Sequence, residues 1–200
     1  MRYKHVFAIC AYKDSPYLER CIRSLKAQTV PSHIIICTST PSSYIDRLAW
    51  KYGLQVYVRQ GESNIKDDWN FAYSMAEGGL VTIAHQDDMY HRDYSAGLLA
   101  AHKRYPDMTV FTTDYVIVKQ GKLITGDAML WIKRILRMPL RFPQMNDRAW
   151  LKKLAFVLGN PICCPATTYH KAALGEPLVR SEYSFALDWD NLVRLAEEPG

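Results

Sequence analysis

Across residues 5–88, a short apolar run followed by an amphipathic helical stretch recurs three times, and a fourth apolar run ends on two adjacent acids. The first run is His5-Val6-Phe7-Ala8-Ile9-Cys10-Ala11-Tyr12, the pattern of a strand buried on both faces. Ser15 is the expected N-cap and Pro16 the first position of a helix whose apolar face is Leu18, Cys21, Ile22 and Leu25. The second unit pairs His33-Ile34-Ile35-Ile36-Cys37 with a helix carrying Tyr44, Ile45, Leu48, Ala49 and Tyr52, closed by Gly53. The third pairs Gln55-Val56-Tyr57-Val58 with a helix capped by Asn64, with Ile65, Trp69, Ala72, Tyr73 and Ala76 inward and Gly78-Gly79 at its end. Strands alternating with helices of this length imply right-handed βαβ units, so residues 80–84 are the fourth parallel strand of one twisted sheet.

The pattern then changes. A helix is expected over 94–105 with Leu98, Leu99 and Ala101 inward, then a β-rich stretch over 108–119 turning at Gln120-Gly121 into Leu123-Ile124 as a hairpin. Over 128–140, Ile132, Ile135, Leu136 and Leu140 line one side of a helix flanked by Lys133, Arg134, Arg137 and Arg141, with Pro139 as its limit. A second amphipathic piece carries Leu151, Leu154, Ala155 and Leu158 before Gly159-Asn160-Pro161 breaks the chain, and 188–197 reads as the last helix. The 200 residues suit one domain with an ordinary 48% hydrophobic fraction. Cys10, Cys21, Cys37, Cys163 and Cys164 are odd in number and lack a CxxC spacing, which argues for reduced thiols rather than disulfides or zinc. Met1-Arg2-Tyr3-Lys4 leads into a strand rather than a signal peptide, and no apolar run approaches the ~18 residues of a membrane span. The charge of +5 is mild and concentrated at 133–153, without a nucleic-acid-binding motif, so no nucleic-acid partner is expected.

In an open α/β sheet, ligands sit at the carboxyl ends of the strands. Asp87 and Asp88 stand at such an end, where two carboxylates offer the hard oxygen ligands that Mg²⁺ or Mn²⁺ takes; the other reading is that they cap a following helix. Tyr12-Lys13-Asp14 and Thr38-Ser39 fall at two further ends of the same sheet, where a nucleotide could stack on Tyr12 and meet hydroxyls at Ser39. His85, Asp87, Asp88 and His91 could instead form a nitrogen and oxygen cluster for Zn²⁺ or Fe²⁺ in a hydrolase. Asp188, beside Trp189 and Asp190, is either a base for activating an alcohol or part of an acidic first helical turn. Residues 129–153 have the composition of a helix lying on an anionic membrane, with Trp131 and Phe142 at interfacial depth, or of a surface helix packing its apolar side inward.

The segment Ala8-Ile9-Cys10-Ala11-Tyr12-Lys13-Asp14-Ser15-Pro16-Tyr17-Leu18-Glu19-Arg20-Cys21-Ile22-Arg23-Ser24-Leu25-Lys26-Ala27-Gln28-Thr29 resembles the opening of the family 2 glycosyltransferases with the GT-A fold. His85-Gln86-Asp87-Asp88 resembles that family's acidic metal motif, and Leu187-Asp188-Trp189-Asp190-Asn191-Leu192-Val193-Arg194-Leu195 its Glu-Asp-Trp-Asp-Leu-x-x-Arg-Leu segment. The resemblance implies an α/β GT-A fold: a Rossmann-like, mainly parallel twisted sheet with helices on both faces and a mixed C-terminal part. It divides residues 1–200 into a nucleotide-binding half, 1–90, and an acceptor half, 91–200, that reads as truncated near Pro199-Gly200. It implies inverting transfer of a sugar from a nucleotide-diphosphate donor, a UDP-sugar first among them, to a sugar or lipid-linked acceptor in polysaccharide or glycolipid synthesis. Asp188 would be the base, Asp87 and Asp88 the holders of Mg²⁺ or Mn²⁺, and Ala11, Tyr12, Ser39, Asn64 and Asp87 the donor contacts. The expected location is the cytoplasm, at the inner face of the membrane through 129–153. The chain departs from the pattern with Thr38-Ser39-Thr40 where an Asp is usual, His85 where the metal motif begins with Asp, and Leu187 where Glu is common. A catalytically weak nucleotide-sugar-binding or assembly protein at the membrane is the alternative those departures suggest, with the hydrolase as a third.

Overall fold

The computed structural model describes residues 2–119, 121–142, 148–183 and 185–198. Expectations that touch Met1, Gln120, residues 143–147 and Pro199-Gly200 lie outside them. Three strand–helix units open the fold: β1 (Tyr3–Ala11), α1 (Leu18–Lys26), β2 (His33–Thr38), α2 (Ser43–Tyr52), β3 (Gln55–Val58) and α3 (Ile65–Met75). They are followed by β4 (Gly78–His85) and α4 (Tyr94–Arg104). The second half holds β5 (Val110–Thr112), a hairpin of β6 (Ile117–Lys119) and β7 (Lys122–Ile124), α5 (Ala128–Leu136), α6 (Ala149–Leu154), β8 (Thr167–His170), α7 (Lys171–Leu174) and α8 (Leu187–Leu195).

The main sheet runs β3-β2-β1-β4-β8-β5, with β1 to β4 mutually parallel and β8 antiparallel to both its neighbours. The chain winds from β1 outward through β2 and β3, then crosses back to lay β4 on the other side of β1. That reversal puts a topological switch point at the carboxyl ends of β1 and β4, where a doubly wound sheet takes its ligands. Period-two alternation splits the strands between two cores. Phe7, Ile9, Ile34, Ile36, Leu80 and Ala84 pack against α1, α2 and α4 on one face. Val6, Ala8, Ile35, Val81 and Ile83 pack against Ala72, Tyr73 and Ala76 of the α3 region and Leu187 and Leu195 of α8 on the other. The expected mainly parallel sheet, faced by helices on both sides and mixed toward its C-terminal part, is what forms.

Local chemistry sets several boundaries, those at Gly53 and Asn64 as expected. Ser42 caps α2 by accepting from Ile45 N at 3.3 Å, Gly53 ends it at φ 60, and Asn64 caps α3 by accepting from Asp67 N at 2.9 Å. Four expectations are corrected. Helix α1 begins at Leu18 because Ser15 is spent on the preceding turn, where its hydroxyl accepts from Tyr17 N and its carbonyl from Leu18 N. Gly78 opens β4 instead of stopping α3, since a Cβ there would lie 2.7 Å from Val6 Cγ2 in the neighbouring strand. Ile65, at the first turn of α3, is exposed. Asp87 and Asp88 cap no helix, because α4 starts only at Tyr94, with Asp93 before it.

The fifth helix is turned the other way from the inward-packing expectation. It ends at Leu136, and only Leu130 of its apolar residues is buried; Met129, Trp131, Ile132 and Ile135 face water. Arg134 and Arg137 take the inner side because Asp114, after β5, receives both guanidinium groups, with Arg134 Nε at 2.9 Å. Arg137 also donates to Thr113 O at 3.1 Å and lies over the Tyr115 ring. A helix whose cations find a carboxylate on the protein side can satisfy them inward and leave its apolar side outside. The same split recurs at α6, where Leu151 and Ala155 are buried while Trp150, Leu154 and Leu158 are exposed.

Candidate active site

Register brings the two most informative strand ends together. Cys10 pairs with His85 across β1 and β4, so Ala11 closes β1 and Tyr12 leaves the sheet beside the turn that carries Gln86, Asp87 and Asp88. Gln86 fastens the two loops: Tyr12 N donates to its Oε1 and its Nε2 donates to Tyr12 O, both at 3.0 Å. Tyr12 is exposed, its ring free to meet a ligand, and the Lys13 ammonium lies 4.9 Å from that ring's centre. Lys13 adopts φ 52 and donates its N–H to Thr40 Oγ1 at 2.7 Å, which ties the β1 end to the β2 end.

Ser39, at the end of β2, donates to Asp68 Oδ2 at 3.0 Å. Asp68 also accepts from Ser63 Oγ at 2.7 Å and from Arg59 Nε at 2.8 Å, so a carboxylate from α3 stands beside the strand end that has no Asp of its own. Asn64 is occupied as the α3 cap, with Oδ1 accepting from Asp67 N and Nδ2 donating to Asp67 Oδ2.

His85, Asp87 and Asp88 each present one ligating atom, and these atoms lie within 4.8 Å of one another. The His85 ring packs against Trp69, centres 5.2 Å apart, and its Nε2 is buried without a hydrogen-bond partner. Burial lowers the His85 pKa, with Asp87 and Asp188 pulling it back up. Burial and the neighbouring Asp87 charge raise Asp88 to about 6. One nitrogen and two carboxylates converging at this spacing fit a divalent cation, whose charge offsets the repulsion between the two acids. His91 does not join them: it is exposed, 3.7 Å from Asp93. The four-residue hydrolase cluster therefore does not assemble.

Asp188 stands in the first turn of α8, behind Ala186 at φ 57, and is near enough to His85 for its charge to act on that ring. Asn160 Nδ2 donates to Asp188 Oδ2 at 2.8 Å, while Asn160 Oδ1 accepts from Ile162 N at 3.0 Å. The amide is thus fixed at both ends and holds the carboxylate in one orientation. Tyr90 OH donates to Pro165 O at 2.6 Å, tying the loop after the acid pair to the segment entering β8. Gln86, Asp68, Asn160 and Tyr90 were not singled out from the sequence. Only the Asn-Pro step at 160 carries a local signal, and it reads as a turn. All five cysteines are free thiols, and burial pushes Cys21 and Cys37 up to about 12, so they are packing groups.

A family model described as Glycosyl transferase family 2 matches residues 6–161. None of the curated protein sequences compared matches the chain. Among solved structures, S. aureus TarS 1-349 in complex with UDP aligns with a TM-score of 0.64 at 17% identity, over 94% of this chain and 54% of that one. Mannosyltransferase PcManGT from Pyrobaculum calidifontis, in complex with GDP-Man and Mn²⁺, aligns at 0.59 and 13% identity over 87% of this chain and 46% of that one. Glucosyl-3-phosphoglycerate synthase from Mycobacterium tuberculosis, with Mn²⁺, UDP and glucosyl-3-phosphoglycerate, aligns at 0.61 and 12% identity over 98% of this chain and 67% of that one. These likenesses establish the GT-A fold. The chain spans about half the length of the TarS structure.

Proposed function

As the chain belongs to glycosyl transferase family 2, we propose that it transfers a sugar from a nucleotide-diphosphate sugar, most simply a UDP-sugar, to an acceptor hydroxyl with inversion. One observation carries this reading: the register that brings Tyr12 beside the Asp87-Asp88 turn, with Asp188, bonded to Asn160, close enough for its charge to act on His85. The nucleoside lies over Ala11 and Tyr12, with Ser39 and the α3 end near Asn64 bordering it. Asp87 and Asp88 are the oxygen ligands for Mg²⁺ or Mn²⁺, and such an ion, when bound, neutralises the charge that develops on the departing diphosphate. The acceptor O–H gives its proton to Asp188 as its oxygen bonds to the sugar carbon. On the opposite face the bond from that carbon to the diphosphate breaks, which inverts the centre.

The acceptor we infer is sugar or lipid-linked, reached from the cytoplasmic face of a membrane in polysaccharide or glycolipid assembly. No described helix is long and apolar enough to cross a membrane. Peripheral contact is supported by the outward Met129, Trp131, Ile132 and Ile135 of α5 and the exposed Trp150 of α6, with Arg141 and Arg148 exposed between the two helices. Apolar side chains bordered by cations complement an anionic bilayer surface.

Thermal-shift titration with UDP, GDP, CDP and dTDP, each with and without Mn²⁺, tests the donor site. A nucleotide at ~100 times its Kd stabilises the fold by about 2.7 kcal/mol. The expected result is a metal-dependent shift with one nucleotide that is lost in Asp87→Ala. Equal, metal-independent shifts with all four, or none, would count against the reading.

A further inference from the structure

The metal pair Asp87 and Asp88 does not stand alone, and the third group beside it is a nitrogen. His85 ends β4 with its backbone held: its carbonyl accepts from Asp88 N at 3.2 Å and from Cys21 Sγ at 3.4 Å. Trp69 of α3 packs against the ring from one side. The ring's Nε2 has no hydrogen-bond partner among the described residues and is closed off from water. A buried polar atom left unpaired is costly, and a metal ion is one partner that satisfies an imidazole nitrogen.

Distances point the same way. Two ligands on one ion, each bonded at about 2.0–2.2 Å, can be no more than about 4.4 Å apart. The ligating atoms of His85, Asp87 and Asp88 lie within 4.8 Å of one another, so closing onto one cation takes movements of a few tenths of an ångström. Asp87 is exposed and Asp88 half-buried, so the carboxylate side of the group is open to water and the imidazole forms its inner wall.

We propose that His85 is a direct nitrogen ligand of the divalent cation, and that this makes the site select a first-row transition ion such as Mn²⁺ over Mg²⁺. The inference rests on the reading of Asp87 and Asp88 as the metal pair and adds its third member and its selectivity. Mg²⁺ is small and hard, keeps oxygen ligands and gives up its water shell reluctantly, so an imidazole in place of a carboxylate weakens its hold. Transition ions accept imidazole, with affinity rising from Mn²⁺ toward Co²⁺ and beyond.

The test is Mn²⁺ binding to the whole chain with the preferred nucleoside diphosphate present, followed by electron paramagnetic resonance. Loss of the free Mn²⁺ signal gives affinity, competition with Mg²⁺ gives selectivity, and electron spin-echo modulation reads directly bonded nitrogen. The expected result is nitrogen modulation in the wild type that changes on ¹⁵N-histidine labelling and vanishes in His85→Asp and His85→Gln. Mg²⁺ should compete with Mn²⁺ at least ~10-fold better in His85→Asp than in the wild type, because an all-oxygen set is restored. Labelling needs no substitution, so a variant that fails to fold leaves the test intact. Mn²⁺ bound without histidine nitrogen, yet lost in Asp87→Ala, would overturn the role of His85 and leave the metal pair standing. Binding unaffected by Asp87→Ala, or no binding at all, would overturn both.

Discussion

The outward face of α5 gives the most quantitative test of how the protein meets its acceptor. Trp131 is 57% exposed and Ile135 61%, and both project from the side opposite the buried Leu130 and Arg137. Fully sealing a large apolar side chain from water contributes about 1.5–3 kcal/mol. With just over half of each side chain still to bury, roughly 1 kcal/mol per residue is available on transfer to a bilayer interface. Replacing both in Trp131→Gln/Ile135→Gln should remove about 2 kcal/mol, or about thirtyfold in partition coefficient. The fold should not notice, because substitutions at exposed positions usually change stability by no more than about 0.5 kcal/mol. Co-sedimentation with large vesicles, neutral and with a third of anionic lipid, reads the partition, and thermal unfolding reads the control. Wild type should sediment more on the anionic vesicles, and the double variant should stay in the supernatant at unchanged melting temperature. A double variant that sediments as well as wild type, or a wild type that ignores both vesicles, would refute the assignment of this face to a membrane.

Asn160→Ala removes the hydrogen bond that Asn160 donates to Asp188; a bond to a charged group contributes about 1.5–3 kcal/mol, so turnover should fall at least ~10-fold with KM for the donor unchanged. A rise in KM with turnover intact would place Asn160 in donor binding instead. His5 is buried between Ser32 Oγ and Thr82 Oγ1, both at 2.8 Å, and burial holds it at about 3 against an ordinary 6.5. Below pH 6.5 the unfolded chain binds a proton that the folded chain refuses, so this residue's share of stability falls as the pH drops toward 3, by up to about 1.4 kcal/mol per pH unit. Denaturant unfolding of wild type and His5→Gln should therefore converge or cross as pH falls through that window, and parallel curves would disprove it. Gly78→Ala should cost about 1–3 kcal/mol, because its Cβ meets Val6 Cγ2 at 2.7 Å; a melting temperature equal to wild type would show that β1 and β4 can part without penalty.

The parallel half of the fold was legible because its signals are local. Strands buried on both faces read as unbroken apolar runs, and Ser42, Gly53 and Asn64 announce helix ends through bonds that span three or four residues. The acid pair could be placed at a strand end for the same reason. What could not be read were partnerships across the chain. Gln86 meets Tyr12 over 74 positions, and Asn160 meets Asp188 over 28. Asp68 looks like one of two acids in the first turn of α3 until Ser39 and Arg59 arrive beside it. The orientation of α5 stayed open in the sequence for a related reason. Its two faces are plain in the sequence, but which one turns inward was decided by Asp114, an isolated acid some twenty residues earlier that captures Arg134 and Arg137. Gly78 misled because a glycine after a helix usually means a stop, whereas here the constraint is the close approach of a neighbouring strand.

Sugar transfer by this chain requires the pairing of a donor site at the Asp87-Asp88 turn with a base at Asp188. The most direct measurement is release of nucleoside diphosphate from UDP-, GDP-, CDP- and dTDP-sugars in the presence of Mn²⁺ and a membrane lipid extract as acceptor source, for wild type, Asp87→Ala and Asp188→Asn. Donor binding is measured in parallel by calorimetry. The predicted result is release from one class of donor by the wild type, loss of both binding and release in Asp87→Ala, and retained binding with release reduced by at least ~100-fold in Asp188→Asn. Undiminished release in Asp188→Asn, or donor binding indifferent to Asp87→Ala, would contradict it.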